Sequence, residues 1–241
     1  MTDLIEFTAD GVQRALCVVA HPDDIEYGLS AAVAGWTAAG IDISYFLLTS
    51  GEAGIDTMPP VESGPLREVE ERASAAVVGV DEVVFAGHPD GAVVYGLDLR
   101  RDIAREIRRR RPDLVLTITH AERFDNGFPN QADHRAVGLA TLDACADAGN
   151  RWIFPDLLDE GLEPWHVRYL GVSAAPAPTH FVDVGTTFEA AVAALEAHDA
   201  YLSALPQDYP APRDLLGGML GAAGQQVGRE YALLLDLIDR G

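Results

Sequence analysis

Two short stretches of this chain carry side chains able to do chemistry together. One is His21-Pro22-Asp23-Asp24, where an apolar run stops; the other is Asp133-His134, far downstream. Adjacent carboxylates repel, and each resists leaving water, so a buried pair calls for a positive partner. One imidazole and one carboxylate from the first stretch, with the imidazole of the second, make a His₂Asp set. Three protein donors with a position left for water is the layout of a catalytic zinc site. One aspartate then ligates, while the other hydrogen-bonds the water and takes its proton. Each stretch alone has a plainer reading. Pro-Asp pairs favour turns, aspartate caps helices, and acidic residues belong in a helix's first turn. His88–Gly91 (HPDG) reads as a turn, and His120, His166, His180 and His198 as satisfied polar residues. The metal reading depends on the two stretches meeting.

The elements between them are those that make a meeting reasonable. Ala15–Ala20 reads as a buried strand, Tyr27–Gly40 as a helix and Asp42–Thr49 as a second strand. A Gly- and Pro-rich loop runs from Ser50, followed by a helix over Leu66–Val78 and a strand over Glu82–Ala86. A helix over Asp98–Arg110 and a fourth strand over Leu114–Thr119 come next. Gln131–Ala148 reads as a helix capped by Asn130, with Asp133 three residues on. Val167–Ala174 and His180–Val184 read as strands, Phe188–Leu205 as a helix, and a last helix is expected near Gln225–Ile238. This alternation predicts an α/β fold: a doubly wound, mostly parallel Rossmann-like sheet with helices on both faces. One domain over 1–205 with a helical extension over 206–241 packed on it is the expected organisation. Such sheets bind ligands beyond the carboxyl ends of their strands, at the point where strand order reverses. With the first and fourth strands adjacent there, the 120–138 loop faces His21–Asp24.

Composition narrows the partners. The 241 residues, 48% hydrophobic and 23% charged, suit a soluble globular chain with a full core. A formal net charge of −21 repels nucleic acid and anionic lipid. The basic run Arg108–Arg111 precedes Pro112 and reads as a solvated helix end. No apolar run has bilayer-spanning length, and the N-terminus lacks a signal-peptide pattern, so a cytoplasmic protein is expected. Cys17 and Cys145 read as buried small hydrophobes.

In series, the motifs resemble the LmbE/PIG-L family of zinc-dependent, N-acetylglucosaminyl deacetylase-like enzymes. The family's A-H-P-D-D is matched by Ala20–Asp24, its T-x-G-E-x-G by Thr49–Gly54, and its R-x-x-E helix ending in Gly-Val by Arg67–Val80. P-D-G at Pro89–Gly91, RPDLVLT at Arg111–Thr117 and QADHRAVG at Gln131–Gly138 follow in register, as do Val182–Val184 and Ala197–His198. The resemblance runs over roughly residues 15–205.

That resemblance implies His21, Asp24 and His134 as ligands of one zinc ion per chain, and Asp23 as the general base. It implies Arg67 and Asp90 at the substrate pocket, and Asp133 supporting His134 or its surroundings. The family's H-P-D-H begins with a histidine where this chain has Gln131, which donates a hydrogen bond but carries no proton's charge. Gln131 is thus expected at the carbonyl oxygen, with His120 as the alternative. Ile25 stands where many members have Glu, with Glu26 one place later. The implied activity is removal of an N-acyl group, chiefly N-acetyl, from an amino sugar or glycosylated metabolite, with no nucleic-acid or membrane partner and a homo-oligomer left open. The rivals are a metal-binding pseudoenzyme, an amidase acting on thiol-sugar conjugates, and a nucleotide-binding α/β domain. The last is disfavoured by the missing G-x-G-x-x-G and by carboxylates that repel phosphate.

Overall fold

A computed structural model describes residues 4–124 and 126–241. In chain order the elements are β1 (Ile5–Glu6), β2 (Arg14–Val19), α1 (Ser30–Ala38), β3 (Asp42–Leu47), α2 (Pro60–Val77), β4 (Glu82–Phe85), α3 (Leu97–Arg110) and β5 (Leu114–Ile118). They continue with α4 (Ala132–Ala148), α5 (Asp156–Asp159), β6 (Tyr169–Ser173), β7 (His180–Asp183), α6 (Phe188–Glu196), α7 (Asp199–Ala204), α8 (Pro212–Val227) and β8 (Ala232–Asp239). One eight-stranded sheet results, in the order β1-β7-β8-β6-β5-β2-β3-β4. From β2 the chain winds outward through β3 and β4, then returns to lay β5 on the other side of β2 and β6 beyond it, all parallel. The reversal falls between β2 and β5, as the sequence predicts.

The period-two alternation of β2 splits its apolar residues between two cores. Ala15, Cys17 and Val19 join α1, α6 and α8 on one face. Leu16, Val18 and Ala20 join α3 and α4 on the other. Each buried valine or leucine among them contributes about 1.5–3 kcal/mol, and burial on both faces explains why these strands read as unbroken apolar runs. Both cysteines are unpaired and buried in these cores.

Four expectations are corrected. The last helix, expected near 225–238, ends at Val227, and from Ala232 β8 slots antiparallel between β6 and β7, so the C-terminal segment completes the sheet. α2 begins at Pro60 and runs through Pro65, where a loop was expected. The helix expected over 188–205 breaks into α6 and α7 at Ala197–His198. The arginine run is solvated at Arg109 and Arg111 but not at its first member. Arg108 is only 2% exposed, and its guanidinium donates to the carbonyls of Ala148, Asn150 and Ile153 beyond α4.

Candidate active site

The turn after β2 is built by Asp24 itself. Its Oδ2 accepts the backbone N–H groups of Ala20 at 3.0 Å and His21 at 2.9 Å, folding the chain back so that His21 and Asp24 point the same way. The loop after β5 then delivers the first turn of α4, carrying Asp133 and His134. Gly138, one turn on, lets that helix sit against the strand end: a Cβ there would lie 2.5 Å from the carbonyl oxygen of Ile118 and 3.1 Å from the backbone nitrogen of His120.

Three donors converge as a result. His134 Nε2 lies 2.9 Å from Asp24 Oδ1 and 3.2 Å from His21 Nδ1. The far nitrogen of each ring is spoken for. His134 Nδ1 donates to Asn130 Oδ1 at 3.0 Å, and His21 Nε2 faces Asp90 Oδ1 at 3.1 Å and Asp133 Oδ2 at 3.4 Å. A neutral imidazole has one N–H, so these partners leave both inward nitrogens as lone pairs. Two lone pairs and a carboxylate oxygen facing one another are short of positive charge, and the N₂O set with its outer acceptors suits a divalent cation. In the protein alone, protons answer the same need. Burial opposes charging His21, but Asp24, Asp133 and Asp90 outweigh it and hold its pKa well above the usual imidazole value. Burial likewise works against the Asp24 carboxylate, and His134 and His21 reverse that, leaving it well below the usual range.

Asp23 faces a different cation. Its Oδ2 lies 3.1 Å from the Arg67 guanidinium, which also donates to the carbonyls of Gly51 and Pro22 and stacks on the ring of Tyr201 at 4.1 Å. The T-x-G-E-x-G glycines make room for it, since a Cβ on Gly51 or Gly54 would collide with the guanidinium. Burial pushes Asp23 up to about 6, with Arg67 opposing and Asp24 adding to the rise. α2 supplies Arg67 from an inverted face: Ser63, Arg67, Glu70, Glu71 and Ser74 are buried, while Val61 and Val69 are exposed.

These groups line a cleft of about 380 Å³ together with Tyr27, Asp90, Gln131 and Tyr209. The candidates singled out in the sequence border that cleft, except Asp133, which lies just behind it, and the alternative His120. Asp133 meets His21, the neighbour of His134, and its oxygens accept the N–H groups of Gly91 at 2.7 Å and Val93 at 3.1 Å. Asp90 ties His21 to the Ala53 N–H at 2.8 Å. Gln131 sits at the rim, and His120 does not line the cleft. Sequence reasoning missed three things. Asn130, expected as a helix cap, instead holds His134. Tyr201 and Tyr209 carry no motif signal. His198, expected to be satisfied, is fully buried between Glu26 and Glu71, and neither ring nitrogen has a hydrogen-bond partner among the described residues.

Residues 16–145 match the family described as PIG-L, GlcNAc-PI de-N-acetylase. The chain belongs to the PIG-L family. The match contains His21, Asp23, Asp24, Arg67, Asp90 and His134 and stops short of His198, Tyr201 and Tyr209. A diacetylchitobiose deacetylase of Thermococcus kodakarensis is 32% identical over 201 residues, 82% of this chain and 72% of that protein. An N,N'-diacetylchitobiose deacetylase from Pyrococcus horikoshii has the same fold, with a TM-score of 0.87 at 22% identity over 96% of this chain and 85% of that one. So does a 4-carboxy-2-hydroxymuconate hydratase from Pseudomonas putida, with a TM-score of 0.77 at 19% identity over 95% and 97% of the two chains. A hydratase on this fold means that the reaction of a PIG-L chain is argued from its site and not from its shape.

Proposed function

We propose that this chain is a zinc-dependent N-deacetylase that hydrolyses the N-acetyl amide of an amino sugar or glycosylated metabolite. The observation that carries the reading is the convergence of His21 Nδ1, Asp24 Oδ1 and His134 Nε2 beside a buried, separately held Asp23 on one cleft floor. His21, Asp24 and His134 would hold the ion. When bound, it supplies Lewis acidity toward the acyl oxygen and lowers the pKa of a water molecule.

The remaining work falls to side chains. Asp23 accepts a proton as the water oxygen bonds to the acyl carbon, and returns it to the nitrogen as the C–N bond breaks, giving acetate and a free amine. Arg67 keeps the Asp23 carboxylate in place. Gln131 donates an N–H to the acyl oxygen as that oxygen gains charge. Asp90 and Asp133 fix the ring of His21, and Asn130 that of His134. Tyr27, Tyr201 and Tyr209 give the cleft aromatic surface for a sugar ring. Two buried, unpaired cysteines agree with a cytoplasmic setting, and among the described residues no helix is long and apolar enough to cross a membrane.

The test is amine release from a panel of N-acetylated amino sugars and their conjugates by the zinc-loaded protein. Asp23→Asn is nearly isosteric but accepts no proton. It is expected to keep the metal and lose about 10²–10⁴-fold in turnover. Retained metal without amine release from any substrate would favour the pseudoenzyme, a reading supported by glutamine at position 131. Loss of metal from Asp23→Asn with retention by Asp24→Asn would reverse the two carboxylate roles.

A further inference from the structure

Asp23 has φ 94°, a backbone conformation that costs a non-glycine residue about 1–3 kcal/mol and persists only where the surroundings impose it. The imposing groups are on α2. The peptide between Pro22 and Asp23 offers one carbonyl and one N–H. The Arg67 guanidinium donates to the Pro22 carbonyl. Glu71, one helical turn on, accepts the Asp23 N–H on Oε2 at 3.2 Å. Residues four apart share a helix face, so a single turn of α2 grips both ends of one peptide plane. The orientation of that plane sets φ of Asp23, and with it the direction of its carboxylate.

Glu71 is an expensive residue to keep there. It is 0% exposed, its Oε1 has no hydrogen-bond partner among the described residues, and burial and then Glu26 push its pKa well above the usual range. An apolar side chain of the same volume would suit the core at least as well. A sealed cluster surrounds it. His198 Nε2 lies 3.7 Å from Glu71 Oε2 and 3.6 Å from Glu26 Oε2, and Ser74 donates to Glu26 at 2.7 Å. His198 arrives through the break between α6 and α7, which Glu70 fixes by accepting the N–H of Ala200 at 2.5 Å in the first turn of α7.

We propose that Glu71 is a positioning residue for the general base: paired with Arg67 across the Pro22–Asp23 peptide, it locks Asp23 in the conformation that presents its carboxylate to the cleft. The proposal rests on the deacetylase reading for its kinetic consequences and on geometry alone for the clamp.

The test compares Glu71→Met, near in volume and without an acceptor, with Glu71→Gln, whose amide oxygen still accepts the N–H. Glu71→Met is expected to fold, keep its metal and KM, and lose about 10²-fold in kcat, the scale of a misplaced reacting group. Glu71→Gln is expected to recover most of that rate. In an Asp23→Asn background, Glu71→Met should cost nothing further, because the residue acts through Asp23. Crystal structures, or amide exchange at the Asp23 N–H, give a readout independent of turnover: the N–H loses protection and φ leaves the left-handed region in Glu71→Met only. An unchanged Asp23 backbone, a wild-type kcat in Glu71→Met, or an equal loss in the Asp23→Asn background would overturn the clamp. Absence of amine release by the wild-type protein would sink the deacetylase reading instead, and the backbone measurement would still decide the clamp.

Discussion

Asn130 offers the sharpest separation of stability from metal binding. Its side chain is buried and makes three hydrogen bonds. Nδ2 donates to the carbonyls of Thr119 at 2.8 Å and Ala121 at 2.9 Å, and Oδ1 accepts from His134 Nδ1 at 3.0 Å. Asn130→Ala removes all three. At about 0.5–1.5 kcal/mol each, with an imidazole N–H left unpaired, the folded state should lose about 2–4 kcal/mol. The proton of His134 is then free to move to Nε2, the nitrogen the metal needs, and affinity should fall about 10–100-fold. Asn130→Asp divides these effects. Its Oδ1 still accepts from His134, and a carboxylate makes the ring more basic. Its other oxygen now faces two carbonyl oxygens with no hydrogen to share. The aspartate variant should therefore melt at least as low as the alanine variant while binding metal as tightly as wild type. Competition with a chromophoric chelator at fixed pH gives the affinity, and melts of the metal-free proteins give the stability. If metal affinity tracks stability in both variants, or if alanine leaves it untouched, Asn130 does not set the tautomer of His134 and the reasoning fails.

The other expectations can be checked on the same preparations. Gln131→Ala should slow turnover about 10²–10³-fold with metal content unchanged, and Gln131→His should keep activity and add a titration to the pH–rate profile; unaltered kinetics in both would put position 131 outside the site. Gly138→Ala, whose Cβ meets backbone atoms of residues 118 and 120, should cost about 1–3 kcal/mol in thermal unfolding and weaken metal binding by shifting α4. Because the metal-free site holds a proton on His21 well above the ordinary imidazole range, metal binding must displace it. Apparent affinity should rise about tenfold per pH unit for each displaced proton until that raised pKa is passed, and a flat profile in a chelator titration would contradict this.

How far the sequence carries depends on which force placed each element. The strands of the parallel sheet are buried on both faces, so they announce themselves as apolar runs, and their alternation with helices implies the reversal that brings His21 and His134 together. β8 is hidden for the opposite reason. Ala232–Asp239 is rich in leucine and lacks turn residues, so it reads as helix, and only the slot between β6 and β7 makes it a strand. The α6–α7 break carries no glycine or proline; it is made by contacts of Glu70 and His198 with distant residues. α2 deceives because its buried face is polar. A pair such as Glu70-Glu71 reads as a solvated surface, and nothing local says that one caps α7 and the other grips Asp23. Asn130 was misread for a related reason, since a helix-capping asparagine and one that holds a ligand occupy the same place in sequence.

The two adjacent aspartates end in opposite electrostatic situations, which supports the division of work proposed for them. Both are buried, at 5% and 6% exposure, so desolvation raises both. Asp24 then meets two imidazoles and is driven well below the ordinary carboxylate range. Asp23 meets one guanidinium and a neighbouring carboxylate, and stays up at about 6. A carboxylate held ionised under nearly all conditions suits a ligand, because protons never compete for it. A carboxylate poised closer to neutrality suits a proton carrier, because it can give back what it takes. A divalent cation held by His21, Asp24 and His134 would lower both pKa values, and it would act most on the carboxylate that ligates it. Standing 3.1 Å from the Asp23 carboxylate and donating to the carbonyl before it, Arg67 gives that carboxylate a cation of its own, apart from the cluster of His21, Asp24 and His134.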